Sequence, residues 1–326
     1  MLPLPIFDYH RPRTLDEARS LLASLGPRAQ IIAGGTDLLP GMKQGLFEPE
    51  HVVSVARLEE LRGITLDGDT LLVGAGMKLA EVAESLSVQR LSPALAQAAA
   101  AVGGPHHRAM GTLGGNVCLD TRCRYYNQTH FWRKALGFCL KKDGTVCHVV
   151  KGGARCVAAA SNDTAPALIA LEAEIVVLGP GGERRVPARD FYVADGVKNT
   201  VLEPGEIVVR VAVPLGGATR RRSAFEKLRK RGAIDFPLLS VAARIDREGE
   251  EITGADVVVS ALGARPRRVR AASKVERGAR ADGLPEALAA AAYAECKPLT
   301  NLDDEAEWRR EMVPVLVRKA VRRALG

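Results

Sequence analysis

Apolar residues recur at helical spacing in LDEARSLLASL (15–25), directly behind the Thr14-x-x-Glu17 pair, whose hydroxyl and carboxylate can satisfy free amides at a helix start. The pattern predicts a helix ending at Gly26. AQIIAGG (29–35) reads as a short buried strand running into a glycine turn, and TLLVGAG (70–76) as another strand. LAEVAESL (79–86) and the Ala-rich PALAQAAAAVGG (93–104), which glycines close, predict helices. APALIALEA (165–173) predicts a helix, and EIVVLGPGGERRV (174–186) a strand, a tight turn and a return strand. Near residue 216 the composition shifts. LGGATRRRS (215–223) is a linker candidate, AFEKLRKRGAIDF predicts helix or loop, and two strands are expected to meet at EGEEI. From about residue 269 the periodicity is mainly helical. The last helix carries Val317, Ala320, Val321 and Ala324 on one face and basic residues on the other. This order implies a mixed α/β N-terminal region and a smaller α+β C-terminal domain.

Composition narrows the class. A chain of 326 residues with 47% hydrophobic content can bury a substantial core. No apolar run reaches membrane-helix length, and MLPLPIFDYHRPRTLDEA lacks a basic segment followed by an apolar one, so a soluble, cytoplasmic protein without membrane contact is expected. The net charge of +8 is spread over runs such as LRKR (228–231) and VRKAVRRALG, without the interleaved aromatics of a single-strand platform. A solvated surface is expected rather than a nucleic-acid partner, with a zinc-containing, basic nucleic-acid-binding protein as the contrasting reading.

Three glycine motifs could approach a phosphate. GAG (74–76) lies between strand and helix but has Leu79 where a dinucleotide fingerprint needs its third glycine, so it reads as a turn. AGGTDLL (33–39) and GTLGGN (111–116) each pair glycines with Thr or Asn, so that the backbone can come close to an anion while a side chain adds hydrogen bonds. A pyrophosphate could sit between them.

Five of the six cysteines fall within residues 118–156. Cys123, Cys139, Cys147 and Cys156 follow a C-x15-C-x7-C-x8-C pattern that lacks the paired knuckles of structural zinc sites. Four thiolates from one folded loop can instead converge on an iron–sulfur cluster; spacing alone leaves cluster, zinc and neither open. Residues 122–156 hold eight basic residues against one acid, Asp143, as an anionic redox group would favour. They also hold Tyr125, Tyr126, Phe131, Trp132 and Phe138, enough for a small shielding core. Cys118 and Cys296 fall outside the pattern and read as buried structural thiols.

AGGTDLLPGMK, GTLGGNVC, SNDTAPALIALEAEIVV, EPGEIVVRVAVP and FEKLRKRGAIDFPLLSVAARI, in that order, resemble the FAD-binding medium subunits of the molybdenum hydroxylases, the xanthine dehydrogenase and carbon monoxide dehydrogenase family, over nearly the whole chain. The cysteine-bearing insertion resembles the beta subunits of 4-hydroxybenzoyl-CoA reductases. The resemblance implies an α+β chain: a two-subdomain FAD-binding fold of the PCMH/vanillyl-alcohol-oxidase type over 1–216, with subdomains at about 1–55 and 56–216 and a 4Fe–4S-binding insertion at 119–157. A small α+β domain of the CO dehydrogenase flavoprotein C-terminal type would follow over 221–326. It places the FAD pyrophosphate against Ala33, Gly34, Gly35, Thr36, Asp37 and Leu38 on one side and Thr112, Gly114, Gly115 and Asn116 on the other. Asp163 would stand near the cofactor, Lys227 near the flavin and Ile207 near the adenine, with Cys123, Cys139, Cys147 and Cys156 on the cluster. The implied partners are a large molybdenum-cofactor subunit and a small subunit with 2Fe–2S clusters, in a dimer of heterotrimers served by a ferredoxin-like carrier. The implied reaction is reductive removal of the phenolic hydroxyl of 4-hydroxybenzoyl-CoA, or another family reaction on a different aromatic or heterocyclic substrate.

Overall fold

The computed structural model describes residues 2–216, 221–302 and 306–326. The chain begins with a three-stranded parallel sheet in the order β1-β3-β2, formed by β1 (Asp8–His10), β2 (Ala29–Ile32) and β3 (His51–Ser54). Parallel neighbours need crossovers, which α1 (Leu15–Leu25) and α2 (Leu38–Lys43) supply. The predicted start of α1 holds: Thr14 Oγ1 accepts from Glu17 N–H at 3.1 Å, and Glu17 Oε2 accepts from Arg13 N–H at 2.7 Å. Gly26 ends the helix at φ 59°, a conformation glycine adopts without a Cβ penalty.

A five-stranded antiparallel sheet follows, β4 (Ile64–Asp67), β5 (Thr70–Gly74), β6 (Glu174–Gly179), β7 (Gly182–Pro187) and β8 (Ile207–Pro214), ordered β4-β5-β8-β6-β7. Between β5 and β6 run α3 (Leu79–Glu84), α4 (Leu86–Leu91), α5 (Pro93–Ala101), α6 (Pro105–Met110), α7 (Leu113–Val117), the insertion with α8 (His130–Ala135), and α9 (Thr164–Ala170); α10 (Ala188–Phe191) follows β7. Leu71, Val73, Leu95, Leu113, Leu168, Ile175 and Phe191 are buried in the main core.

The C-terminal sheet is antiparallel, β12-β11-β10-β9, from β9 (Arg221–Leu228), β10 (Leu239–Glu248), β11 (Glu251–Ser260) and β12 (Arg267–Arg268). Here the expectation of helix or loop for AFEKL is overturned. The segment is β9, paired antiparallel with β10 from Leu228↔Leu239 to Arg221↔Asp246. Its Ala, Glu, Lys and Leu favour helix locally, but backbone pairing and burial of Ser223, Ala224, Phe225 and Glu226 decide otherwise. Residues 269–283 hold only a short 3₁₀ turn, and the long helices are α11 (Leu284–Glu295) and α12 (Ala306–Leu325). The apolar face of α12 is buried as its spacing predicts, with Val317, Ala320 and Val321 at 0% exposure. Part of the linker candidate, residues 217–220, lies outside the described residues.

Both faces of this sheet are used. Val241, Ile245 and Val257 pack with α11 and α12, while Phe225, Ala242 and Val258 join the core that holds Leu95 and Leu168. Among the described residues no helix is long and apolar enough to cross a membrane.

Candidate functional site

The two glycine turns meet. A Cβ on Gly34 would strike the carbonyl of Met110, so the AGGTD turn lies directly on the backbone that opens GTLGGN. Gly35 has φ +71°, which suits glycine. The second turn is pinned from behind: Leu79 N–H donates to Gly111 O at 2.9 Å, Leu113 N–H to Met77 O at 2.9 Å, and Gly114 N–H to Ala75 O at 2.8 Å. The GAG segment is therefore the turn its sequence predicts, and it serves as the bracket for the second glycine motif. A Cβ on Gly114 would lie 2.7 Å from that of Ala75, whereas one on Gly115 would meet only Thr112 Oγ1, at 3.1 Å. Thr112 caps α7 by accepting from Gly115 N–H at 3.1 Å. Thr36 and Gly115 are exposed, and Ala33, Gly34, Gly35, Asp37 and Leu38 are half-buried. These residues lie together where the two turns abut.

The other candidates have distinct places. Asn116 is buried, and its Oδ1 accepts from the N–H (3.1 Å) and hydroxyl (2.6 Å) of Thr164, tying α7 to the start of α9. Asp163 and Lys227, 64 residues apart, form an ion pair at 2.7 Å with both side chains 3% exposed. Lys227 Nζ also donates to Ala101 O at 2.9 Å, whereas Asp163 Oδ1 is buried without a hydrogen-bond partner. Burial pushes the Asp163 carboxyl up to about 6 against the pull of Lys227, and burial pushes Lys227 down. Ile207 is 2% exposed and packs in the core with Leu22, Val53 and Val209, a core against which Ala33 also rests.

The insertion brings its four cysteines together. Cys123, Cys139, Cys147 and Cys156 line one small cavity with Tyr125, Tyr126, Lys141 and His148, and it opens partly to solvent. All are free thiols; Cys123, Cys139 and Cys156 are buried and Cys147 is half-buried. Burial pushes the Cys123 thiol up to about 11, the nearby Cys156, Cys139 and Cys147 adding to the rise. As neutral thiols the four groups share this space as they stand; deprotonated, the same sulfurs are a donor set of the kind that holds a metal centre. Among the described residues no three His, Cys, Asp or Glu side chains stand close enough for a single ion. Backbone amides point at the sulfurs: Val150 N–H donates to Cys147 Sγ at 3.5 Å, and the amides of Tyr125 and Ala158 favour the thiolates of Cys123 and Cys156. Gly196 makes room, since a Cβ there would lie 2.7 Å from Cys156 Sγ. Phe138 and Asp143, on either side of the Cys139 turn, have φ 61° and 65°, strained values for residues with a side chain.

Three expectations change. Of the five aromatics only Tyr125 and Tyr126 line the cavity; Phe131 is 83% and Trp132 37% exposed, so they do not shield it. Cys118 keeps exposed surface although burial pushes its thiol up to about 12, while Cys296 is buried as expected. Arg122 and Lys141 act individually and not merely as members of a basic loop. Arg122 pairs with Asp37 of the first glycine turn and stacks 4.2 Å from the Phe236 ring. The partners of Lys141 are Asp120, Thr121 and Gly196. Nothing local in the sequence marks these pairs, because Asp37 and Gly196 lie outside the insertion and Asp120 stands 21 residues from Lys141.

The family described as "FAD binding domain in molybdopterin dehydrogenase" matches residues 5–216, and "CO dehydrogenase flavoprotein C-terminal domain" matches 223–324. The chain is 31% identical to the carbon monoxide dehydrogenase medium chain of Hydrogenophaga pseudoflava, over 99% of this chain and 98% of that one. It is also 31% identical to the aldehyde oxidoreductase FAD-binding subunit PaoB of Escherichia coli (strain K12), over 84% and 87% of the two chains. The structure of carbon monoxide dehydrogenase from Hydrogenophaga pseudoflava lacking the Mo-pyranopterin moiety superposes with a TM-score of 0.80 at 30% identity, covering 99% of this chain and 98% of that one. None of these descriptions attributes an iron–sulfur cluster to the matched chain.

Proposed function

Since the chain belongs to the FAD-binding subunits of multi-subunit molybdenum-containing oxidoreductases, the carbon monoxide dehydrogenase and xanthine dehydrogenase family, we propose that it carries a 4Fe–4S cluster beside its FAD and conducts electrons in a complex of the 4-hydroxybenzoyl-CoA reductase type. The comparisons speak for FAD and for the family but not for the substrate. The observation that carries the finer reading is the convergence of Cys123, Cys139, Cys147 and Cys156 on one cavity. When bound, FAD supplies one- and two-electron chemistry and a 4Fe–4S cluster supplies single-electron transfer.

The residues divide the work. The turns at 33–38 and 112–116 would hold the FAD pyrophosphate, as the family resemblance suggests, with Thr112 fixing the second turn and Arg122 fixing Asp37 at the end of the first. Asp163 and Lys227 would present a buried charged pair to the flavin. The four thiolates would hold the cluster, and the amides of Tyr125, Val150 and Ala158 would stabilise their charge. Large molybdenum and small iron–sulfur partner subunits, in a dimer of heterotrimers with a ferredoxin-like donor, complete this reading; in it, substrate reduction takes place in the large subunit.

Metal and flavin analysis of the anaerobically purified complex tests the proposal. The expected result is one FAD and, beyond the iron of the partner subunits, about four iron per copy of this chain, the iron content of the cluster type. Stoichiometric zinc, or no metal beyond that of the partner subunits, would remove the cluster while leaving the family assignment intact. Turnover of 4-hydroxybenzoyl-CoA by the same preparation tests the substrate separately.

A further inference from the structure

A charge pair, with its ammonium buried and its carboxylate partly exposed, stands at the four-thiol cavity and is not needed to supply a ligand. Lys141 lines the cavity with its side chain 5% exposed. Its ammonium donates to Asp120 Oδ1 at 2.6 Å, to the hydroxyl and carbonyl of Thr121, and to Gly196 O at 2.7 Å. It also lies 4.5 Å from the centroid of the Tyr126 ring. Tyr126 is 3% exposed, lines the same cavity, and hydrogen-bonds to Asp120. Gly196 is the residue whose absent side chain leaves room for Cys156 Sγ, and the Lys141 charge favours the Cys156 thiolate.

Burying an ammonium and part of a carboxylate costs desolvation free energy that an apolar pair of similar size avoids. Two other cations of the insertion are paired elsewhere, Arg122 with Asp37 and the buried Arg133 with Asp143 and Gly45 O. Lys141 and Asp120 are thus the opposite charges bound to each other beside the thiols. Charge acts strongly over short range in such a poorly solvated place, and hydrogen bonds and net charge around a cluster set its potential.

We infer that Lys141 and Asp120 are positioning residues that set the reduction potential of the redox group held by the four cysteines. Lys141 favours the reduced, more negative form, and Asp120 opposes it. The inference rests on the four-thiol cluster reading above.

Redox titration of the anaerobic holo-complex, followed by electron paramagnetic resonance, tests it on two variants. Lys141→Met is expected to lower the midpoint by at least a tenfold change in the one-electron equilibrium, about 59 mV. Asp120→Asn keeps an oxygen acceptor but loses the charge, and is expected to raise the midpoint. Shifts of opposite sign are the signature, because a packing role alone would not reverse with the sign of the removed charge. If Lys141→Met fails to retain iron, Asp120→Asn decides: an upward shift supports the inference, and an unchanged or lowered midpoint overturns it. Wild-type protein with the cluster but variants of unchanged midpoint, or shifted in one direction, overturn this inference alone. Wild-type protein without the cluster overturns it together with the reading it rests on.

Discussion

Gly34 and Gly115 belong to similar motifs but face different surroundings, and a side chain at each should fail differently. Gly115→Val has open space beyond Thr112 Oγ1, so the chain should fold, keep its iron and lose FAD, because the isopropyl group occupies the space proposed for the pyrophosphate. Flavin absorbance per mole of purified protein reads this. Gly34→Ala drives a methyl into the Met110 carbonyl and should cost folding stability itself, by about 2 kcal/mol or more, as a lowered melting midpoint of the apoprotein. Asp163 gives a pH prediction. Its folded pKa of about 6 lies above that of an unfolded Asp, about 3.9, so the stability it contributes is complete below the lower value and is lost as pH rises through the upper one. Urea unfolding at about pH 4 and about pH 7 should show wild type losing on the order of 2 kcal/mol relative to Asp163→Asn across that window. A flat difference would mean that the pair holds Asp163 ionised throughout. The sequence offers Asp163 and Lys227 as a cap and a surface residue as readily as a flavin-side pair; only the fold places their charges 2.7 Å apart.

At the scale of elements, the insertion has anchors besides the Arg122–Asp37 link to the first glycine turn. Arg133, 1% exposed, donates to Asp143 Oδ2 at 3.0 Å and Gly45 O at 2.9 Å, and Arg122 exchanges backbone hydrogen bonds with Ala159. Cys139→Ser should therefore remove this chain's share of the iron, about four per copy, while leaving most of the FAD bound, as measured by iron and flavin content of the same sample. Loss of both would mean the insertion cannot hold its shape without metal. Helix boundaries with caps and glycine stops were legible beforehand: α1 begins at Thr14 and ends at Gly26 as its residues dictate. AFEKL was not, because its local preference is helical and its strand state comes from β10 alone. The cysteine spacing was legible as a ligand pattern, whereas the exposure of Phe131 and Trp132 was not, since a count of aromatics carries no direction.

Over the whole molecule, the C-terminal sheet is part of the N-terminal core. Phe225, Ala242 and Val258 pack with Leu95 and Leu168, Phe225 N–H donates to Gln97 Oε1 at 2.8 Å, and Lys227 compensates Asp163. A chain ending at residue 216 should strand this apolar surface and leave a buried carboxylate unpaired, a loss typically worth about 3–5 kcal/mol. It is expected to be recovered as aggregate, or as soluble protein without flavin; a soluble, flavin-loaded fragment would show the C-terminal part to be dispensable. By itself the sequence determined the α1 cap, the alternation of helices and strands, the two glycine turns and the four-cysteine spacing, because these depend on neighbours along the chain. The tertiary structure decided that the turns abut at Gly34 and Met110, that four thiols share one cavity, and that Asp163 meets Lys227, Arg122 meets Asp37 and Lys141 meets Asp120. Across such separations pairing is set by how sheets and helices pack, and burial then gives each charge the strength that its place in the sequence cannot express.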